Sequence, residues 1–570
     1  MPPTDAQEQR ESPQDASAAL PFPDHKKFFK ATAQSLIYLC LAAAASPIFR
    51  LTLTPAFGAL PTTNNSQDNF MVAISFALGI FSSKGNGMFG DLISLLPLAT
   101  AWMPAILSKL LPWTASAMGP EDGPRVISMV TVHFVVCLTA TAIPEVMARG
   151  GIKTSMEKWA APKMMFLAIL TFMYLSVEKS MSDGFTKLLA NFGFLTPVHL
   201  WLLLAVAYSI AFPSRIVLLA IPAVLHTQFS NPHFTHSAVD ASLRPHNWTM
   251  LERQWSNTGY ISVLDSFDNQ YRVMRCDHSL LGGEWLLTSD RQQTEGWQVS
   301  EPIYAVFQML EAVRLMELEP QIPDAEAHAL VIGLGIGTAP KALVAHGIDT
   351  TVVELDPVVH KFATKYFALP ANHTAVLQDA VSWVQNEVSA PEVKKYDYII
   401  HDVFTGGTEP LALFNAQFLS NLRSLLTPNG IIAINYAGDL ALPLTTTVLN
   451  TIAHVFSASQ CKIYRDSPRE KDALPDSASD SDFLNMVLFC RNAPGPITFR
   501  KPREADYLGS KSRRYYMLPK PEHEIPFPES DAGILNLGDE GKFAKEQGKS
   551  AVRHWRIMRK VVPAAVWDSW

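Results

Sequence analysis

Apolar positions along this chain show two textures. From about Phe28 to Ser230, apolar runs follow one another: Ala31–Phe49, Phe70–Phe81, Leu92–Leu107, Val126–Met147, Ala161–Val177, His199–Phe212 and Ile216–Phe229. A helix needs roughly 20 apolar residues to cross a bilayer, so residues 26–232 are expected to form about six or seven membrane spans. A soluble helical domain would show a polar stripe at the helical period, and these runs have almost none. Pro47, Pro97, Pro104, Pro144 and Pro222 lie within the runs and predict kinks that neighbouring helices must satisfy. Residues 1–25 are polar and proline-bearing. They are expected to form a disordered tail, without the apolar run of a cleaved secretory signal.

After Pro232 the pattern changes. Tyr260–Leu264 and Tyr271–Arg275 alternate apolar and polar residues across the turn Asp268-Asn269. This predicts a β-hairpin or small antiparallel sheet within 255–300. A helix is expected from about Pro302 to Met316. Apolar strands then run into Gly333 and Glu354, a third ends within Val376–Ala380, and two more end at Asp402 and Tyr436, with Met486–Cys490 as a late strand. Helices are expected between them, over Thr338–Ala345 and about Phe414–Leu426. Strands alternating with helices predict a parallel, Rossmann-like α/β sheet over 301–498. A basic extension follows, over 499–570. It ends in an Arg- and Trp-containing helix suited either to an anionic lipid surface or to packing on the catalytic domain.

Composition narrows the function. Charged residues make up 17% of the chain, below the roughly 25% usual for soluble domains, which fits a membrane domain. A net charge of −7 gives no basic face for nucleic acid. Cys40, Cys137, Cys276, Cys461 and Cys490 form no CxxC pair. Neither a disulfide framework nor a metal site is expected from them.

The chemistry concentrates where the first parallel strand meets glycine. In Ala329-Leu-Val-Ile-Gly-Leu-Gly-Ile-Gly-Thr338, Gly333, Gly335 and Gly337 let backbone turn sharply and approach a ligand. Glu354, about 20 residues on at the second strand end, is placed to bind ribose hydroxyls, with Leu355 beside it. Asp379 and Ala380 stand at the third strand end, and Asp402 ends the fourth. Ligands of such sheets sit at these carboxyl ends. His401 points to the face opposite Asp402. Tyr436, at the fifth strand end, is a candidate for lining the acceptor pocket.

Over residues 255–495 the chain resembles the spermidine/spermine synthase family. The resemblance lies in Gly259–Leu264, Arg275–Gly283, the glycine loop, Val353-Glu-Leu-Asp-Pro357 and the strand ending at Asp402. It implies a class I methyltransferase-like domain preceded by a small β subdomain, and a nucleoside-sulfonium donor. By resemblance Glu354 binds ribose, Asp379 and Ala380 contact adenine, and Asp402 is the catalytic carboxylate facing the acceptor. Asp277 and His278 open the acceptor-side segment, with His278 as base or positioning donor. The family's glycine-loop aspartate, which holds the donor amine, is replaced here by Ile336, and the second acceptor-loop aspartate by Thr405, also a candidate substrate contact. A polyamine site needs carboxylates, and loss of these two disfavours both a decarboxylated donor and a cationic polyamine. Intact S-adenosylmethionine carries its own carboxylate and is favoured electrostatically.

The expected activity is therefore a membrane-bound S-adenosylmethionine-dependent methyltransferase. Its resemblance to fungal membrane proteins of this layout implies O-methylation of a small metabolite, a carboxylic acid among the candidates. The alternatives are a polyamine aminopropyltransferase using decarboxylated S-adenosylmethionine, and a nucleoside-binding sensor or transporter. Expected partners are a small-molecule acceptor, membrane lipid and a second copy through the catalytic domain, without nucleic acid. His133 and Glu145, inside an expected span, are candidates for intramembrane polar contacts. Lys26, Lys27 and Lys30 place the N-terminus in the cytosol, with Lys84 and then Arg149, Lys153 and Lys158 in later cytosolic loops. Asn64-Asn65-Ser66 then lies on the lumenal side, where it can be glycosylated. Because S-adenosylmethionine is made in the cytosol, the catalytic half is expected there, with an even number of spans in an endoplasmic-reticulum membrane. Asn247 and Asn372, both in acceptor sequons, should then stay bare.

Overall fold

The computed structural model describes residues 25–66, 69–82, 92–149, 160–304, 306–404, 407, 409–466, 483–528 and 532–570. The expected N-terminal tail lies outside them, as do Lys84, Lys153, Lys158 and Thr405.

Apolar runs in the first part become packed helices. Helix His25–Phe57 spans 33 residues and buries Ala42 to Phe49 without interruption. Small side chains there let neighbouring backbones approach closely. Three helical stretches are long and apolar enough to cross a membrane: His25–Phe57, Leu96–Met147 and Met164–Asn191. The second contains two of the expected spans, divided at Gly119, whose φ of 70° and ψ of −168° break the helix. Phe70–Phe81 lies in the 14-residue helix Asn69–Ser82. The last expected pair corresponds to two shorter apolar helices, Pro197–Ala211 and Arg215–Ser230. Within the bundle, Arg50 and Glu178 form a 2.7 Å ion pair. The Ser46 hydroxyl also donates to Glu178, at 3.0 Å.

The second part holds two sheets. Where a hairpin was expected there are five antiparallel strands in consecutive order. They are β1 (Trp248–Ser256), β2 (Gly259–Ser266), β3 (Tyr271–Cys276), β4 (Ser279–Trp285) and β5 (Glu301–Pro302). The hairpin proper, β2–β3, is extended because Trp248, Met250, Val273 and Leu280 must cover one another in a shared core. The expected helix at 302–316 is a single turn, Val306–Met309, continued as a 3₁₀ segment over Leu310–Leu315.

The larger sheet contains β6 (His328–Ile332), β7 (Asp349–Val353), β8 (Thr374–Val376), β9 (Tyr396–His401), β10 (Leu426–Asp439), β11 (Cys461–Arg465), β12 (Phe483–Arg491) and β13 (Glu524–Ile525). Their order is β13-β11-β12-β10-β9-β6-β7-β8. The strands β10-β9-β6-β7-β8 are parallel, while β11, β12 and β13 add antiparallel pairs. Strand order reverses between β6 and β9, which opens a crevice beyond their carboxyl ends. Cys461 and Cys490 face each other across β11 and β12 and form a disulfide. This corrects the sequence expectation: no sequence spacing announces a pair that register alone brings together.

Candidate active site

A cavity of about 470 Å³ lies at the strand-order reversal. Its floor is the glycine loop. Gly333 has φ 87°, and a Cβ there would lie 2.0 Å from the Asp402 carbonyl oxygen. At Gly335, φ is 53° and a Cβ would meet the Leu281 carbonyl at 2.6 Å. Both positions need glycine because two backbones pass where a side chain would stand. Both line the cavity. Gly337, with φ 84°, instead caps helix Thr338–Ala345 and is outside the lining.

Glu354 follows β7 and faces the cavity. Its Oε2 accepts the Leu334 amide at 3.0 Å and its Oε1 the Asp356 amide at 2.8 Å. These bonds fix the carboxylate, while its remaining lone pairs stay available to ribose hydroxyls. Burial pushes its pKa up to about 7. Leu355 presents an exposed apolar side chain to the same cavity. Asp379 caps helix Ala380–Val388 by accepting the Ser382 amide at 2.8 Å, and lines the cavity with Ala380. Glu354, Leu355, Asp379 and Ala380 thus converge on one wall, beside the glycine loop. That arrangement fits an adenosyl group.

Asp402 stands on the opposite side of the loop. Its Oδ1 accepts a hydrogen bond from Asn435 Nδ2 at 2.7 Å. Burial raises its pKa to about 6. His401 points the other way, bonded to the Leu413 carbonyl at 2.9 Å and packed on Phe414.

Four expected site residues stand outside the cavity lining: Gly337, described above, and Asp277, His278 and Tyr436. Asp277 is buried outside the cavity lining, in a left-handed turn with φ 47°. It accepts the Tyr260 amide at 3.0 Å, and burial raises its pKa to about 6. It sits in the β3–β4 turn, ties that turn to the start of β2 and reaches Thr54 of the first helix, so the structure gives it a structural role in place of the expected catalytic one. His278 is also buried outside the lining, stacked between Trp567 at 4.2 Å and Trp555 at 5.1 Å. Burial holds it well below its ordinary pKa. A base enclosed by two indoles has no path to an acceptor. Tyr436 faces away because strand residues alternate: Asn435 and Ala437 line the cavity, while Tyr436 packs on Phe414. Thr405, also expected at the site, lies outside the described residues. Ile336 is buried against Gly282 and does not line the cavity.

Sequence reasoning missed the remaining walls. Thr258 closes one end and donates to Asp356 at 2.6 Å. Another wall comes from the C-terminal helix Ala544–Val561, through His554, Ile557, Met558 and Val561. Their i, i+3, i+4, i+7 spacing is a single helical face, and is the signal that could have found them. His554 lies 3.2 Å from the Ser279 hydroxyl and packs on Phe404, and burial lowers its pKa to about 4. The helix that was expected to suit either lipid or the catalytic domain is thus a wall of the site. It is pinned by the ion pair Arg553–Asp439. Nearby, buried Arg275 donates to the carbonyls of Asp277, Val566, Ser569 and Pro55.

A glycine-floored crevice at the strand-order reversal, with Glu354 on one wall and the Asp402 carboxylate also in its lining, is the arrangement suited to a nucleoside-dependent group transferase. Residues 308–465 match the spermine/spermidine synthase domain family. The chain is 40% identical over 555 residues to an N-terminal histidine N-methyltransferase of Emericella nidulans, covering 93% of this chain and 96% of that one. A polyamine aminopropyltransferase of Vibrio vulnificus is 32% identical over 108 residues, covering 19% of this chain and 36% of that one. Among solved structures, a probable spermidine synthase from Corynebacterium glutamicum matches with 16% identity and a TM-score of 0.36, covering 51% of this chain and 96% of that one. The chain belongs to the spermidine-synthase-like family of S-adenosylmethionine-dependent methyltransferases. It is a transferase that uses S-adenosylmethionine as methyl donor.

Proposed function

We propose that this enzyme is embedded in a membrane and methylates a nitrogen of an N-terminal histidine on a polypeptide. The observation that carries this reading is the charge of the cavity. Glu354, Asp379, Asp402 and Asp466 line it, and no Lys or Arg stands among the described lining residues. A carboxylic-acid acceptor, the O-methylation expected from the sequence, would bring a further negative charge into that setting with no Lys or Arg among the described lining residues to hold it. An amine or imidazole is neutral or positive and finds acceptors there. The near-full-length relative, named as an N-terminal histidine N-methyltransferase, supports the same reading.

When bound, S-adenosylmethionine supplies a methyl group on a positively charged sulfur. The chain's part is to hold the acceptor nitrogen in line with that carbon and to keep its lone pair free. Glu354, the glycine loop and Asp379 fix the donor side. Asp402, held by Asn435, accepts a hydrogen bond from the acceptor nitrogen and can take the proton that it gives up. An α-amine ordinarily has a pKa of about 7.7–8.0 and an imidazole about 6.5, so a carboxylate near 6 is matched to either. Alignment is the larger contribution, because a unimolecular geometry replaces a chance encounter.

The membrane reading is supported by the three long apolar helices. It is also supported by the apolar outer faces of the short ones: Leu203, Val206 and Ile210 are 58%, 57% and 78% exposed at i, i+3, i+7 spacing. Such a stripe in water would be an aggregation surface.

The test uses labelled S-adenosylmethionine with peptides that begin with His, the same peptides N-acetylated, and a panel of small carboxylic acids. Mass spectrometry should place the methyl group on the terminal histidine and show no transfer to carboxylates. Base-labile methyl esters, with unmodified peptides, would overturn the proposal.

A further inference from the structure

We propose that the catalytic half lies on the oxidising, non-cytosolic side of the membrane and is N-glycosylated there at Asn372. The inference rests on the membrane reading above and reverses the cytosolic placement expected from donor supply.

Helix His25–Phe57 supplies the first argument. Its 33 residues extend roughly 50 Å at about 1.5 Å per residue, well beyond a hydrocarbon core of about 30 Å. Lys26, Lys27 and Lys30 stand at its start, the end that the positive-inside rule assigns to the cytosol. The catalytic half docks on the other end. Arg275 donates to the Pro55 carbonyl and Trp555 to the Ala56 carbonyl, each at 3.0 Å. A cytosolic first end therefore puts the catalytic half across the membrane.

Asn64 makes the same point. A Cβ at Gly548 in the C-terminal helix would come within 3.2 Å of Asn64 Nδ2. The short helix Ala59–Ser66, which carries Asn64, and the helix that walls the active site thus share one side. The sequence expectation of a lumenal Asn64 with a cytosolic catalytic domain cannot hold in one molecule. Arg556 also bonds Glu121 at 2.8 Å, just past the helix break at Gly119, so a third turn of the bundle faces the same way.

The disulfide supplies the third argument. Cys461 and Cys490 join within the catalytic domain, near the end of β11 remote from the cavity. Forming it removes two electrons and two protons from the thiols, taken up by a disulfide-bearing oxidant. Such bonds persist in secretory compartments, whereas cytosolic thiols are kept reduced. In that setting the sequon Asn372-His373-Thr374 becomes available. Asn372 and Thr374 are exposed at the entry to β8. The amide Nδ2 of Asn372 would bond to the anomeric carbon of a lipid-pyrophosphate-linked oligosaccharide, with loss of one amide proton and release of the lipid pyrophosphate. Asn247 is the second sequon of this half, but its Nδ2 is bonded to Asp268 at 3.0 Å and Thr249 is buried.

The test expresses the full chain in eukaryotic cells and isolates sealed microsomes. Carbonate extraction first reports whether the chain is membrane-embedded; release from the membrane overturns the membrane reading itself. In retained protein, the catalytic half should resist added protease until detergent is present. Endoglycosidase should increase gel mobility, and in an Asn64→Gln background, which removes the sequon beside the bundle, Asn372→Gln should abolish that shift while Asn247→Gln leaves it. Thiol labelling should reach Cys461 and Cys490 only after reduction. Digestion of the catalytic half in sealed vesicles, or free thiols at both positions, overturns the placement. Protection with a bare Asn372 overturns the glycan assignment.

Discussion

Asn435 Nδ2 donates to Asp402 Oδ1 at 2.7 Å, linking β10 to the end of β9 beneath the acceptor side of the cavity. The bond leaves Asp402 Oδ2 for the acceptor and fixes the plane of the carboxylate. Asp402→Asn should lower kcat by roughly 10²–10⁴-fold, the range typical of a lost acid–base group. Donor affinity should change little. Single-turnover kinetics beside calorimetric donor titration separates the two effects. Equal losses in both would move Asp402 to the donor site.

As the proposed ribose contact, Glu354 should give donor binding a pH dependence. Its folded pKa of about 7 lies above the ordinary glutamate value of about 4.3. The folded donor-free enzyme therefore holds this proton more tightly than the unfolded chain does. Its contribution to stability is most favourable at low pH, declines as pH rises from about 4 to about 7, and is constant above. Ribose hydroxyls donate to the carboxylate, so donor affinity should fall as pH drops below about 7. Glu354→Gln should weaken binding roughly ten- to hundredfold, the loss of a charged hydrogen-bond acceptor, and flatten that pH profile. Donor titrations at pH 5.5 to 8.5 on both proteins check it.

Ile336→Asp would restore the carboxylate characteristic of polyamine synthases. Ile336 is 2% exposed and packs on Gly282. The new charge would be buried without a partner, at a cost of several kcal/mol. The expected outcome is a lowered Tm without a gain in affinity for decarboxylated donor. A stable variant that prefers that donor would show that the loop re-forms around the aspartate.

His554→Phe keeps the ring contact with Phe404 and removes the bond to Ser279. An unmade hydrogen bond of this kind costs about 0.5–1.5 kcal/mol. Acceptor KM should rise severalfold, with donor affinity unchanged. A change confined to the donor would assign this wall to the other half of the cavity.

Replacing Cys461 and Cys490 together by Ala opens a loop closed over 29 residues. The expected loss is about 3 kcal/mol of stability, visible as a lower Tm. Activity at low temperature should persist, because Cys461 sits at the end of β11 away from Asp466 and the cavity.

The glycine-loop wall of the cavity was legible in the sequence because local rules determine it. Gly333 and Gly335 must be glycine where Asp402 and Leu281 backbones pass, and Glu354 must follow β7 by the spacing of one βαβ unit. The acceptor side was not. Asp277 and His278 match a family segment, yet the first helix and Trp555 and Trp567 cover them, contacts no spacing rule encodes. Tyr436 was misplaced by one position, and on a strand one position is the other face. His554 lies some 150 residues beyond Asp402, outside any motif window.

The wall formed by His554, Ile557, Met558 and Val561 also sets an order of events during biosynthesis. The donor-binding floor, from Gly333 to Asp379, is complete long before residues 544–561 leave the ribosome. Until then the cavity has no fourth side, and Arg275 lacks the Val566 and Ser569 carbonyls that it finally holds. A growing chain is therefore open at the acceptor face. The site is enclosed only when helix Ala544–Val561 docks against both the sheet, through Arg553 and Asp439, and the end of the first helix, through Trp555 and Ala56.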